Sequence, residues 1–490
     1  MTPTPARAEL LARLRQFERA SRPLDPGASR RKALRAAVVA SAERFLRKLD
    51  TLRAYVETGD KGIGLLDAPI SERGLPIETA IELLERDVVR PGGNPASAGH
   101  LAYIPGGGLY HSALGDFLAA VSNKYAGIFF TGPGAVRMEN MLIRWVADLA
   151  GYPAAAGGNI ASGGSIANLA AIATARDAHG LKGADYASAV VYLTTQAHHC
   201  IEKALRLAGM AEAQVRQVAM DEGYRMRPEA LADAIAADRG RGLRPWLVIA
   251  AAGTTDTGAV DPLDAIADVA ERERCWFHVD GAYGGFFLLT EHGRRMLRGI
   301  ERSDSVVLDP HKSLFLPYGA GIVVVRDADR LAATHGASGH YMQDAVREPG
   351  EVSPADVSPE LSKHFRALRM WLPLILVGTG PFRAALDEKL LLARYFHEEI
   401  QSLGFEAGPA PDLSIVTYRW SPVGVSLERA NRVNQAIVDG VRRDGRVFIS
   451  STMLDGRFTL RLAVLAFRTH RRTIDLALRV LREQLESAGD

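Results

Sequence analysis

Three short segments combine residue types that can do chemistry together. Ser162-Gly163-Gly164-Ser165-Ile166-Ala167-Asn168 falls where a loop enters an Ala-rich helix. Its glycines admit a close anion, Ser165 supplies a hydroxyl, and the free amides of a helix start favour negative charge, so a phosphate group fits there. Phe277-His278-Val279-Asp280-Gly281-Ala282 puts an acid at the carboxyl end of an apolar run, where open α/β sheets bind ligands. Leu308-Asp309-Pro310-His311-Lys312-Ser313 places a lysine just past another apolar run. Taken singly, each has an ordinary structural reading as a helix cap, a turn or a surface charge. Taken together, an amine able to form a Schiff base, a carboxylate able to pair with a ring nitrogen and an anion cradle are the parts a pyridoxal phosphate site needs.

The elements that must hold these segments are legible in the pattern. Short β-rich runs (Ala189–Leu193, Gln214–Ala219, Trp246–Ala251, Cys275–Val279, Ser305–Leu308, Gly321–Val325) alternate with helical stretches starting at Ala161, Cys200, Pro228 and Asp261. That alternation predicts a largely parallel sheet covered by helices. The uncharged stretch from Leu149 to Ala175 reads as a loop feeding a helix, not as a membrane span, because Pro153 and five glycines interrupt it. Residues 1–90 read as a helical N-terminal arm, with an amphipathic start at Leu10, Leu11, Leu14 and Phe17 and helical periodicity from Ala33 to Leu52. Residues 91–375 form the expected large α/β domain. Residues 376–490 form a smaller α+β domain with a helix over Arg383–Leu403, strands near Leu413–Arg419 and Arg457–Leu465, and a last helix from about Arg471.

Composition removes several classes of function. The chain has 490 residues, with 59 Lys and Arg against 57 Asp and Glu, so its formal charge of +2 gives no electrostatic footprint for nucleic acid or an anionic membrane. Hydrophobic residues at 47% and charged residues at 24% match a globular protein. The two cysteines, Cys200 and Cys275, exclude a disulfide framework or zinc cluster, and with no signal-peptide core at the start the expected location is the cytoplasm. His198-His199-Cys200 invites a metal reading, but neighbours on a helix do not face one ligand, so no metal is expected. There is no GxxxxGK[ST], no strand-linked GxGxxG and no HExxH motif.

The sequence resembles the group II pyridoxal-phosphate decarboxylases, the family of aromatic-L-amino-acid, glutamate and histidine decarboxylases, from about His100 to Arg472. The resemblance rests on His278-Val-Asp-Gly-Ala282, Pro310-His-Lys312, Gln196-Ala-His198, Gly253-Thr-Thr255 and the Gly164-Ser165 pair. It implies the fold type I architecture of pyridoxal-phosphate-dependent transferases, with a mostly parallel seven-stranded sheet, and an obligate homodimer sharing its active site. It implies α-decarboxylation of an L-amino acid, with Lys312 carrying pyridoxal 5'-phosphate as an aldimine, Asp280 keeping the ring nitrogen protonated so that a quinonoid can form, and His198 and Ala282 on the two ring faces. Gly164, Ser165 and His311 would lie at the phosphate and Thr255 near the cofactor. Asp309 stands where relatives of the aromatic enzymes carry asparagine, and no phosphate contact is assigned to it. Tyr103 and Ile104 match a segment lining the substrate site, Ile128 and Phe129 one reaching over from the neighbouring subunit. Their apolar character favours an aromatic or apolar substrate. Tyr341, in an irregular stretch from His335 to Glu360, matches a loop tyrosine that protonates the substrate carbon.

Other readings compete. A decarboxylase of acidic amino acids or a carbon-carbon lyase would share the ring chemistry. An α/β-hydrolase with Ser165 as nucleophile would use the order Ser165, Asp280, His311. A non-catalytic scaffold would predict damage to the Lys, Asp and His set, which is intact.

Overall fold

The computed structural model describes residues 5–336 and 351–489. They divide into two compact units, Met1–Leu52 with Val56–Asn94, and Arg53–Tyr55 with Pro95–Asp490. The first unit holds helices α1 (Pro5–Ser21), α2 (Ala28–Arg47) and α3 (Ile77–Leu83). Helix α2 starts and ends earlier than its periodicity predicts; Arg31 N donates to the Gly27 carbonyl, so the first turn forms ahead of Ala33. Leu10, Leu14 and Phe17 on α1 are exposed. Two-residue strands β1 (Tyr55–Val56) and β2 (Gly92–Gly93) stand apart from the main sheets.

The second unit is organised by a seven-stranded sheet of β3 (Gly157–Ala161), β4 (Ala189–Leu193), β5 (Gln214–Gln217), β6 (Arg244–Ala251), β7 (Trp276–Asp280), β8 (Ser305–Leu308) and β9 (Gly321–Val325). Their spatial order is β3-β9-β8-β7-β6-β4-β5. The pairs from β5 through β8 are parallel, and β9 runs antiparallel to both β8 and β3. Strands β4, β8 and β9 are buried at every position. This suits apolar runs covered on both faces. Alternation along each strand feeds two cores. Val190, Tyr192, Val248, Phe277, Val306 and Val324 face one, whereas Val191, Leu247, Trp276, Val307 and Val323 face the other.

Strand β3 departs from the expected loop. Gly157-Gly158-Asn159 carries little β propensity; the strand is made by its partners instead. It pairs with β9 from Gly157 to Ala161, and Ile160 N donates to Glu139 Oε1 at 3.0 Å. Glu139 lies on α5 (Pro133–Leu149) and also holds Lys363 Nζ at 2.6 Å, with both side chains essentially without exposure. The helix expected from Ala161 begins at Gly164 as α6 (Gly164–Ala178).

The C-terminal part builds a four-stranded antiparallel sheet, ordered Glu406–Ala407, Ile415–Arg419, Arg457–Ala463, Ser450–Leu454, with its own core of Phe396, Val416, Tyr418, Ile437, Leu460 and Ile474. Asp412 joins it to the large sheet: it receives Arg225 through Nε at 3.0 Å and Nη2 at 2.5 Å, and Val260 N at 2.9 Å. No described helix is long and apolar enough to cross a membrane.

Candidate active site

Chain connections leave β4 and β6 in opposite directions across the sheet, toward β5 and β7. Such a switch point opens a crevice at the carboxyl ends of the strands. A cavity of about 330 Å³ lies there. Sites for small molecules start at roughly that size, on the order of 300 Å³. Eight residues singled out in the sequence line it: Gly164 and Ser165 after β3, His198 after β4, Thr255 after β6, Asp280 and Ala282 at the end of β7, and His311 and Lys312 after β8.

Asp280 ends its strand with both oxygens engaged. Ala282 N donates to Oδ1 at 3.1 Å and Asn168 Nδ2 to Oδ2 at 3.4 Å. Lys312 sits on the single turn Pro310–Ser313, fixed by Ser313 Oγ donating to the Tyr283 carbonyl at 2.7 Å. Its Nζ lies 3.0 Å from Asp309 Oδ2. Burial works against the charged ammonium, but the carboxylates of Asp309 and Asp280 outweigh it and raise the pKa of Lys312. Asp309 itself is buried, and its Oδ1 has no hydrogen-bond partner.

The two cavity histidines are both driven toward the neutral form. Burial lowers the pKa of His198 against the pull of Asp280, and burial likewise lowers that of His311 against Asp309. His198 Nδ1 accepts from Cys200 N at 3.2 Å, which fixes the ring. His311 Nδ1 is bonded to the Ala320 carbonyl and its Nε2 lies 3.7 Å from Asp309. A Ser165-His311-Asp280 triad is therefore not assembled: His311 faces Asp309, while Asp280 is taken by Ala282 and Asn168. Among the described residues no group of three or more His, Cys, Asp or Glu side chains could hold a metal ion.

The anion cradle is built for close approach. A Cβ at Gly164 would lie 2.8 Å from Asp309 Oδ2 and 3.3 Å from Ala282 Cβ, so only glycine leaves the floor of the cavity open there. Ser162 and Ser165 stay exposed at the start of the 15-residue helix α6. An amine, a strand-end carboxylate, two neutral imidazoles and a glycine-floored helix start fit pyridoxal phosphate in chemistry and in space.

Other expected residues lie elsewhere. Tyr103 is 65% exposed and does not line the cavity, although its segment runs on to Leu109, whose N donates to the Phe315 carbonyl behind the lysine turn. Ile104 packs on the first core. Ile128 and Phe129 are also outside the cavity lining; Phe129 N donates to Ser353 Oγ at 3.0 Å and the Arg137 guanidinium lies over its ring. Tyr341 lies outside the described residues. Sequence reasoning missed a role for Asn168. Its signal was its place one helical turn beyond Gly164, on the face that looks into the site.

Residues 65–420 match the model of the pyridoxal-dependent decarboxylase conserved domain. The chain is 35% identical to an aromatic-L-amino-acid decarboxylase of Bacillus atrophaeus, over 82% of this chain and 84% of that one. It is 30% identical to tryptophan decarboxylase 2 of Oryza sativa subsp. japonica, over 79% and 80%. The crystal structure of Oryza sativa TDC with PLP and tryptamine superposes with a TM-score of 0.88 at 25% identity, covering 94% of this chain and 99% of that chain. The chain belongs to the pyridoxal-dependent decarboxylase family. It is a pyridoxal-phosphate-dependent decarboxylase of amino acids.

Proposed function

We propose that this enzyme decarboxylates an aromatic L-amino acid, with Lys312 as the covalent anchor of the cofactor and Asp280 as the partner of its ring nitrogen. The observation that carries the site assignment is the convergence of Lys312, Asp280, His198 and the Gly164-Ser165 cradle, from four strand ends, on one cavity. When bound, pyridoxal phosphate supplies an aldehyde carbon for the covalent link and a ring that takes up the electron pair left when carbon dioxide departs.

The chain's own groups do the rest. Lys312 Nζ, held beside Asp309, receives and gives up the proton that accompanies exchange between anchor lysine and substrate amine. Asp280, kept in one orientation by Ala282 N and Asn168, places negative charge at the ring nitrogen. His198, neutral and fixed by Cys200 N, covers one ring face, and Ala282 packs on the other. Gly164, Ser165 and His311 hold the phosphate, and Thr255 borders the cofactor. Tyr341, by resemblance alone, gives the proton to the substrate's α-carbon.

Two observations favour an aromatic substrate over an acidic one. The relatives named above act on aromatic amino acids by their names, and among the described residues lining the cavity there is no arginine to pair with a second carboxylate. Tyr103, Ile104, Ile128 and Phe129 are the proposed apolar walls, completed by a second copy of the chain. A homodimer is supported by the exposed apolar side chains of helix α4 (Tyr110–Ser122), namely Leu114, Phe117, Leu118 and Val121.

Borohydride reduction followed by peptide mapping tests the anchor: the pyridoxyl group is expected on the Lys312 peptide. Carbon dioxide release is expected to be faster from tryptophan, DOPA or phenylalanine than from glutamate. A reversed ranking would overturn the substrate assignment, and a label on a different lysine would overturn the site.

A further inference from the structure

Behind Asp280, four buried side chains form a chain of hydrogen bonds, of which only Asn168 borders the cavity. Trp276 Nε1 donates to Ser305 Oγ at 2.8 Å, Ser305 Oγ meets His278 Nδ1 at 2.8 Å, His278 Nε2 meets Asn168 Oδ1 at 2.7 Å, and Asn168 Nδ2 donates to Asp280 Oδ2 at 3.4 Å. Trp276, Ser305, His278 and Asn168 are each at most 4% exposed, so water does not share these bonds.

The carboxylate end of the chain sets its direction, and the indole end agrees with it. An indole N–H can only donate, so Ser305 Oγ accepts from Trp276; among the described residues His278 Nδ1 is the one remaining partner of that hydroxyl, and giving it the hydroxyl's hydrogen leaves no buried donor unused. Nδ1 then accepts, which puts the histidine's hydrogen on Nε2, facing Asn168 Oδ1. From the other end, a carboxylate can only accept, so Asn168 must turn its amide hydrogens to Asp280 and its oxygen to His278. That again demands a hydrogen on Nε2. The two deductions agree, and they make every bond point toward Asp280.

We propose that Trp276, Ser305, His278 and Asn168 form a one-directional hydrogen-bond relay that positions the Asp280 carboxylate for the cofactor's ring nitrogen. The relay lies on β7, β8 and α6, so the elements that carry the cavity also carry the device that orients its carboxylate. His278 acts through Asn168 and is a positioning residue. Its neutral state follows from the geometry: an imidazolium would donate from Nδ1 and leave the Ser305 hydroxyl hydrogen without an acceptor inside the core. Burial pushes the His278 pKa down to about 4, in the same direction. Loss of His278 frees Asn168 to rotate, and a rotated amide would set its oxygen against the Asp280 oxygens.

The inference rests on the reading of Asp280 as the ring-nitrogen partner, and two measurements separate them. The first needs no cofactor chemistry. In the full-length protein labelled with 15N-histidine, the His278 resonances, assigned by their loss in His278→Gln, are expected to show a neutral ring protonated on Nε2 near pH 7. In Ser305→Ala a mixture of both tautomers is expected. A ring protonated on Nδ1, or an imidazolium, would overturn the relay whatever the cofactor does. The second is the affinity for pyridoxal 5'-phosphate followed by its visible absorption. Asn168→Leu and His278→Leu are expected to weaken it about tenfold, and His278→Gln, whose amide can still donate to Asn168, to stay within about threefold. Wild-type affinity in both leucine variants would show that the relay does not serve the cofactor. An unchanged spectrum in Asp280→Asn would instead count against the reading of Asp280 and leave the tautomer result standing.

Discussion

Two neighbouring strand ends carry an aspartate each, and they are satisfied in opposite ways. Asp280, the last residue of β7, receives two fixed neutral donors, a backbone amide and the Asn168 side chain, whose directions are set by the fold. Asp309, after β8, is 1% exposed, has one oxygen without any hydrogen bond and leans the other on the flexible Lys312 ammonium. Two glycines box it in: a Cβ at Gly164 would come within 2.8 Å of Oδ2 and one at Gly321 within 2.7 Å of Oδ1. Asp280 is thus oriented by the fold, whereas Asp309 is compensated by the ammonium of Lys312, the proposed cofactor anchor. The first arrangement suits a permanent electrostatic partner. The second couples the charge on Lys312 to the carboxylate beside it.

Removing the lysine gives the largest effect. Lys312→Ala is expected to abolish amine formation and covalent labelling, because it removes the proposed anchor. It also strands Asp309, and breaking a buried pair costs up to about 3 to 5 kcal/mol; with a quarter of the lysine side chain open to the cavity, about 1 to 3 kcal/mol of lost unfolding free energy is expected. The sharper test of the contrast is the double variant Lys312→Ala, Asp309→Asn, which should recover most of that loss in denaturant melts while remaining inactive. No recovery would mean that Asp309 is not held by the lysine. Next in size is Asp280→Asn, which keeps the volume but removes the charge. A rate loss of roughly a hundredfold, with weaker cofactor retention, is expected from turnover and absorption measurements. A loss below about threefold would place the ring-nitrogen partner elsewhere.

The contrast also marks where sequence is a sufficient guide. Ala189–Leu193, Ser305–Leu308 and Gly321–Val325 were legible to the residue because their side chains are apolar throughout and are buried on both faces. Edge strand β5 stops at Gln217, short of the expected Ala219, since only one neighbour pairs with it. Strand β3 was illegible because Gly157-Gly158-Asn159 becomes extended only through β9 and the Glu139 carboxylate, residues remote in the chain. The site divides likewise. That Lys312, Asp280, His198 and Gly164 border one cavity could be expected from local motifs, because each motif is a strand end plus a turn. Asn168 could be seen but not understood, as its partners Asp280 and His278 lie 112 and 110 positions away. The environment of Asp309 was hidden in part for the same reason: Gly164 reaches it from the start of α6, remote in the chain, and Gly321 from the neighbouring strand β9.

The smallest effect is the most specific to the contrast. In Asp309→Asn the amide keeps an oxygen that can accept from Lys312 Nζ, so the fold should change in stability by less than about 1 kcal/mol. What changes is the charge that holds the lysine protonated. The ordinary lysine value is 10.5, and the carboxylates raise it. A pKa raised by folding adds stability that is fully present below the unfolded value and is lost as pH rises through the folded one. Wild type and variant should therefore differ by a constant amount through neutral pH, and the difference should shrink only above about pH 10. Covalent capture of an aldehyde needs the neutral amine, so the variant, with more of it at any pH below that point, should take up pyridoxal 5'-phosphate several-fold faster in stopped-flow absorption near pH 8. Equal capture rates in the two proteins would show that Asp309 does not hold the Lys312 proton, and the difference between the two aspartates would reduce to geometry alone.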